Sequence, residues 1–197
     1  MADFTYTANV KCVNGTDRWL ELLFTNYAGV LADDITEITV TGPSGLITNN
    51  INDFEIFEDT DFMWFATPAL VPELGTYNFS VTIGGETVLG SDEQTVNRSL
   101  DSVSPATMVP VPDSSVPTDT TFEWGAIADP GFPVYYGIQI RNAGGEYVAN
   151  VRYVGDFTYD INLPAGNYTW QIIVMDGVGW KENNNRTHGP WQNFTIV

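Results

Sequence analysis

Three kinds of residue are nearly missing from this chain: 197 residues hold one cysteine, one histidine and only 7 Lys+Arg. With Cys12 alone, no internal disulfide can form, and the redox compartment stays open. Zinc takes roughly three or four His, Cys or carboxylate ligands at tight spacing, so no zinc centre is expected. The few bases face 25 Asp+Glu, for a net charge of −18 and a pI near 4.1. A phosphate backbone needs a Lys/Arg surface to displace its counterions, so nucleic acid is not an expected partner. An anionic membrane surface repels the chain for the same reason. No stretch approaches the ~20 apolar residues of a membrane span, so membrane insertion is not expected. The opening MADFTYTANV has neither a basic nor an apolar region of the kind that makes a signal peptide. The abrupt ends read as a piece of a longer chain.

Catalytic signatures are missing too. A Ser or Cys nucleophile needs a base within reach. His188 lies in the polar stretch NNNRTHGPW, which reads as an exposed loop with a solvated histidine. No GxSxG elbow, Walker loop or GxGxxG occurs. Carboxylates abound, but a sandwich of about 100 residues seldom encloses the cleft that a glycosidase pair needs. The chain is expected to be non-catalytic, with no cofactor. Calcium is the one cation that the acidity invites, since it takes roughly six to eight oxygens from loop carboxylates and carbonyls. Glu58, Asp59 and Asp61 in FEDTDF, and Asp33 with Asp34 in LADDIT, are the candidate ligands. A solvated acidic loop is the plainer reading of both.

Helical periodicity is also lacking: no window repeats apolar residues at i, i+3, i+4, i+7 for three turns. What the chain has is alternation. Tyr77, Phe79, Val81 and Ile83 alternate strictly, then Gly84-Gly85 marks a hairpin turn, where φ > 0 is needed. ITEITV ends at Gly42-Pro43-Ser44-Gly45. Ile138 and Ile140 alternate in YGIQIRN, Gly144-Gly145 makes a turn, and Tyr147, Ala149, Val151 and Tyr153 alternate on the return. Tyr168, Trp170, Ile172 and Val174 share a face in LPAGNYTWQIIVMD. Aromatics make up 13% of the chain, which suits pleated strands, and 43% hydrophobic residues suffice for packed cores.

The prolines Pro105, Pro110, Pro112 and Pro117 fall mid-chain, where they read as linker or edge strand because they cannot donate to a central ladder. The boundary is placed near residue 99, giving an acidic domain at 1–99 and a second domain at 100–197. The Pro105–Pro117 run is expected to be a first edge strand of the second domain. Acidity is uneven: residues 1–97 hold 15 Asp+Glu against 2 Lys+Arg, and residues 98–197 hold 10 against 5. A weak repeat links LPELGTYNFSVTIGGE to LPAGNYTWQIIVMDGV. Short strands with turns every 8–12 residues or so make two tandem all-β sandwiches the economical arrangement.

The second half resembles a fibronectin type III domain, within the immunoglobulin-like superfamily. Trp124 in TFEWGA falls where that family has a core Trp on its second strand, and Tyr136 in YYGIQI matches a third-strand Tyr. Leu163, Gly166 and Tyr168 match the family's Leu-x-Pro-Gly-x-x-Tyr pattern, although Ala165 stands where the Gly is expected. The resemblance implies that Tyr168 is a tyrosine corner, its hydroxyl bonding back to the preceding turn. The first half resembles an immunoglobulin-like domain more loosely, through Tyr77 after Leu74-Gly75, with Trp19 as the candidate core Trp.

Exposed aromatics are the remaining functional signal, since Trp and Tyr give large, rigid contact area. Trp180 and Trp191 flank KENNNRTHGP, which also holds His188, and Trp64 is a further candidate. The expected function is a non-catalytic extracellular or cell-envelope module, working as a spacer or as a platform for a protein or glycan at the cell surface. Two alternatives stand beside it. One is a carbohydrate-binding accessory module of a secreted hydrolase, with Trp180 and Trp191 stacking on sugars. The other is a calcium-stabilised surface-layer or adhesin repeat.

Overall fold

A computed structural model describes residues 4–25, 34–57, 62–178 and 183–197. The chain divides into two compact units, Met1–Arg98 and Ser99–Val197. In the first unit eight strands follow in order: β1 (Tyr6–Val13), β2 (Asp17–Phe24), β3 (Ile35–Gly42), β4 (Gly45–Thr48), β5 (Glu55–Phe57), β6 (Phe62–Thr67), β7 (Gly75–Ile83) and β8 (Glu86–Gln94). Antiparallel pairing sets β1 beside β2, β2 beside β6 and β6 beside β5. The other sheet runs β4–β3–β7–β8.

Between these sheets lie Val10, Leu20, Leu22, Ile38, Val40, Met63, Tyr77, Phe79 and Val81, all at most 1% exposed. Alternation produces this core. In β7 the buried Tyr77, Phe79 and Val81 are separated by Asn78 and Ser80, which point outward. The hairpin from β7 to β8 closes through Gly84 (φ 57°) and Gly85 (φ 86°), a two-residue turn that needs positive φ at both centres. Tyr6 ties β1 to the opposite sheet: its hydroxyl donates to the Val88 carbonyl at 3.0 Å, and the Val10 amide donates to Asp92 Oδ2 at 2.7 Å.

Trp19 is not a core residue. Leu20, Leu22 and Phe24 turn inward on β2, so Trp19 turns outward and stacks on Trp64 of β6 with ring centroids 4.6 Å apart. The first unit packs its centre with Tyr77 and Phe79 instead.

The second unit holds β9 (Ser114–Val116), β10 (Asp119–Glu123), β11 (Tyr135–Asn142), β12 (Tyr147–Val154), β13 (Thr158–Asn162), β14 (Gly166–Met175), β15 (Asn185–His188) and β16 (Gln192–Ile196). Its larger sheet runs β12–β11–β14. The second half of β14 then pairs with β15 and its first half with β16, whose far side takes β9 in parallel. The smaller sheet is β10–β13. Phe122 meets Trp170 and Phe194 edge-on at 4.9 and 5.3 Å, at the centre of the core. Trp124, Tyr136, Leu163 and Tyr168 are each at most 6% exposed around them.

The proline run does not form one edge strand. Val109 bridges to Glu123 of the smaller sheet, the Val109–Pro110 bond is cis, and pairing resumes only at β9, on the larger sheet. Ladder contacts survive only between prolines, where an N–H is available. Gly137 marks a second local device. The register of β11 on β12 shifts between Tyr136 and Ile138, and a Cβ at Gly137 would lie 2.7 Å from the Val151 carbonyl oxygen. Only glycine admits that approach.

Both units carry the same corner. Tyr77 donates its hydroxyl to the Glu73 carbonyl at 3.0 Å, and Tyr168 donates to the Pro164 carbonyl at 2.9 Å. Each tyrosine reaches back four residues across a glycine, Gly75 or Gly166. Counted back from the tyrosine, the buried Leu163 corresponds to the buried Pro72, while Leu74 is 57% exposed. The Ala165 departure therefore leaves the corner intact. Tyr77→Phe and Tyr168→Phe keep the ring packing and orphan one carbonyl, and each is expected to cost about 0.5–1.5 kcal/mol in urea unfolding. Tyr153→Phe at a half-exposed ring should stay within about 0.5 kcal/mol.

Candidate functional site

The outer face of the larger sheet in the second unit gathers polar groups in rows. Directly opposite residues on antiparallel strands share a face. The pairing therefore sets Tyr147 (β12), Arg141 (β11), Thr169 (β14) and Asn193 (β16) in one row across four strands. Asn167 and Thr195 form the next row. The inward neighbours Ile140, Tyr168, Trp170 and Phe194 are locked in the core, which fixes the outward set.

Arg141 organises one end of this face. Its guanidinium carbon lies 4.3 Å from the Tyr147 ring centroid and 4.5 Å from that of Trp191, so the cation packs against both rings, which also meet each other at 6.5 Å. A guanidinium nitrogen also donates to the Tyr147 hydroxyl. Trp191 is half-buried and precedes β16 directly, so the stack joins the β11–β12 hairpin to the last strand. That hairpin is stiff as well: Asn142 Oδ1 accepts from the Gly144 and Glu146 amides at 2.9 and 3.0 Å, and Gly145 takes φ 85°. Beside the stack lies a groove of about 620 Å³ lined by Arg141, Asn142, Asn167, Thr169, Trp191 and Asn193.

Deeper on the same sheet runs a ladder of amides. His188 Nδ1 lies 3.3 Å from Gln171 Nε2. Gln171 Nε2 donates to Gln139 Oε1 at 2.6 Å, and Gln139 Nε2 donates to Asn150 Oδ1 at 3.0 Å. The chain thus crosses β15, β14, β11 and β12. His188 is therefore no solvated loop histidine: it ends β15, opposite Ile173. Burial lowers its pKa from 6.5 to about 3, and the charges of Arg186, Arg152 and Arg141 push it the same way. The amide donor on Nδ1 requires that nitrogen to accept, which places the proton of the neutral ring on Nε2.

Of the residues singled out in the sequence, the structure puts Trp191 at the groove and His188 in the ladder. Trp124, Tyr136, Leu163, Tyr168 and Tyr77 are core residues. Trp180 lies outside the described residues, as do Asp33, Glu58, Asp59 and Asp61 of the calcium candidates, and Asp34 is exposed. Among the described residues no group of three His, Cys, Asp or Glu gathers to hold a metal. Nor is any helix among the described residues long and apolar enough to cross a membrane. Sequence reasoning gave no site role to Arg141, Asn167, Thr169 or Asn193. Their signal was a polar residue at the outward position of a strand, but strand adjacency decides which of these meet.

The pairing order defines both units as immunoglobulin-like β-sandwiches, the chain being all-β throughout its two tandem domains. No family model matches the chain, and no curated protein matches it in sequence. Among solved structures it is similar to tandem Ig repeats of Dlar, at 11% identity and TM-score 0.46, covering 98% of this chain and 96% of that one. The titin Ig tandem A164-A165 matches at 12% identity and TM-score 0.31, over 100% and 99% of the two chains. A biofilm associated protein BSP domain matches at 11% and TM-score 0.34, over 97% of this chain and 29% of that chain. At these scores the fold rests on the strand pairing above, and no property of these proteins carries over.

Two outcomes are expected from the site. Arg141→Lys keeps the charge but loses the planar stack, at a cost of about 0.5–1 kcal/mol. Tryptophan emission should shift to the red as the Trp191 face meets water, and the shift should vanish in Arg141→Lys/Trp191→Phe. His188 gives a pH dependence. Its folded pKa lies below its unfolded value, so the unfolded chain takes the proton first. Stability is complete above about pH 6.5 and falls as pH drops toward 3, by at most about 1.4 kcal/mol per unit. Urea midpoints at pH 7.5 and 5.5 measure the slope, and His188→Gln should flatten it in that range, where carboxylates stay ionised.

Proposed function

We propose that this chain is a non-catalytic tandem immunoglobulin-like module of an extracellular or cell-envelope protein. It works as a spacer and as a platform for contact with a protein or glycan at the cell surface. The observation that supports this most is how the polar side chains of the second unit are used. The one histidine is held neutral in a ladder of amides, and the groups left over line an open groove above a closed core. Such a face binds; it has no poised acid and base to react. The acidic surface, at a net −18, fits a protein that stays dispersed in solvent.

The carbohydrate-binding reading is the second one, favoured by the groove beside Trp191. Surface exposure is tested with an antibody against the chain on intact cells of its source. The expected result is labelling that disappears after brief protease treatment of whole cells. Labelling that requires permeabilised cells would overturn the surface assignment.

A further inference from the structure

We propose that the groove beside Trp191 is a binding site for a neutral oligosaccharide, seated across β11, β14 and β16. This deepens the binding-platform reading and rests on it.

A saccharide presents C–H patches beside pairs of hydroxyls. A site for it needs an aromatic ring for the first and fixed amide or hydroxyl groups for the second. The groove offers both. Trp191 stands at one side, held by Arg141, whose cation faces the rings of both Trp191 and Tyr147. Asn167, Thr169 and Asn193 line the floor from adjacent strands.

The hydrogen bonding of these three contrasts with that of the ladder nearby. Gln139 and Gln171 spend their amides on neighbouring side chains. In the groove, Asn167 accepts from Thr195 with Oδ1, and Asn193 donates to Asp113 with Nδ2 at 3.4 Å. Asn167 Nδ2, Asn193 Oδ1 and the Thr169 hydroxyl have no partner among the described residues. One donor, one acceptor and one group able to act as either therefore face the same space. The existing bonds hold the two asparagines in orientation, so less side-chain freedom is lost on binding.

Other ligand classes fit less well. A peptide added as a strand needs unpaired backbone, and here β11, β14 and β16 are paired with one another beneath the groove. A phosphate or polyanion needs cations. The one guanidinium in the lining is covered by two rings, Asp113 adds a carboxylate to the same lining, and the whole chain carries −18. The volume of about 620 Å³ lies within the usual range of small-ligand sites, about 300–1,000 Å³.

The test is a glycan array of neutral and acidic oligosaccharides probed with the full chain, followed by calorimetry on the strongest hit. Saturable binding of a neutral oligosaccharide is expected. Trp191→Ala should weaken it roughly tenfold or more. Thr169→Arg, which fills the groove while leaving the Tyr147–Arg141–Trp191 stack in place, should abolish it. Both variants are compared by circular dichroism and urea midpoint, and the Thr169→Arg result decides if Trp191→Ala loses its fold. Absence of any neutral hit overturns the proposal, as does binding of acidic glycans alone or binding indifferent to Thr169→Arg. Each of these failures leaves the intact-cell labelling positive, which separates them from failure of the surface-module reading.

Discussion

Period-two burial between paired sheets is the constraint on which everything else here depends. A strand that gives every second side chain to the core cannot slip by one residue without turning its whole apolar set to water. Burying one Val, Leu, Ile or Phe side chain is worth about 1.5–3 kcal/mol, so a slipped strand loses several such terms at once. In the second unit that penalty fixes Ile138 and Ile140, then Tyr168, Trp170, Ile172 and Val174, on the inside. Gln139, Arg141, Thr169 and Gln171 are turned to the opposite face of the sheet as a consequence, where Gln139 and Gln171 are themselves buried. The groove and the amide ladder are thus by-products of a register set by other residues.

Much of this was legible because the inside set is chemically distinctive. The run from Tyr77 to Val81 and the run from Tyr168 to Val174 announce themselves, as does the Gly84-Gly85 turn. The tyrosine corner was readable from a motif in the second unit; in the first, the sequence marked Tyr77 but not its bond to the Glu73 carbonyl. Trp19 misleads because a large aromatic can suit either face of a strand. Leu20, Leu22 and Phe24 decide which one, and they put Trp19 beside Trp64. His188 misleads because polar neighbours in sequence suggest solvent, whereas its neighbours in space are Gln171 and three arginines. The proline run misleads in a third way: a segment unable to hold one continuous ladder divided its pairing between two sheets. In each case the missing information was adjacency, which alternation does not encode.

Charge is distributed with the same economy. Residues 98–197 hold only five bases, and three of them, Arg141, Arg152 and Arg186, lie close enough to act on His188. An imidazole removed from water and facing cations stays neutral through the physiological range. That neutrality keeps Nδ1 available to accept from Gln171, so the ladder does not change with ordinary swings in pH. Arg141 serves twice. Its charge helps hold His188 neutral, and its flat guanidinium packs against both Tyr147 and Trp191. A lysine supplies the charge without the plane, so the two roles are separable.

The same rigidity bears on what the outer face can do. A side chain ordered only on contact costs about 0.5–1.5 kcal/mol in lost rotamer freedom. In the second unit that ordering precedes contact: the stack holds Trp191, Thr195 and Asp113 orient Asn167 and Asn193, and the Asn142 bonds hold the hairpin beside them. A surface prepared in this way cannot remodel itself around many shapes. On the proposed reading, such a surface selects by position, as an antibody paratope does after maturation, and gives up breadth. For a module whose fold is shared by proteins of unrelated function, the site lies in which polar residues the outward positions carry and which strands bring them together.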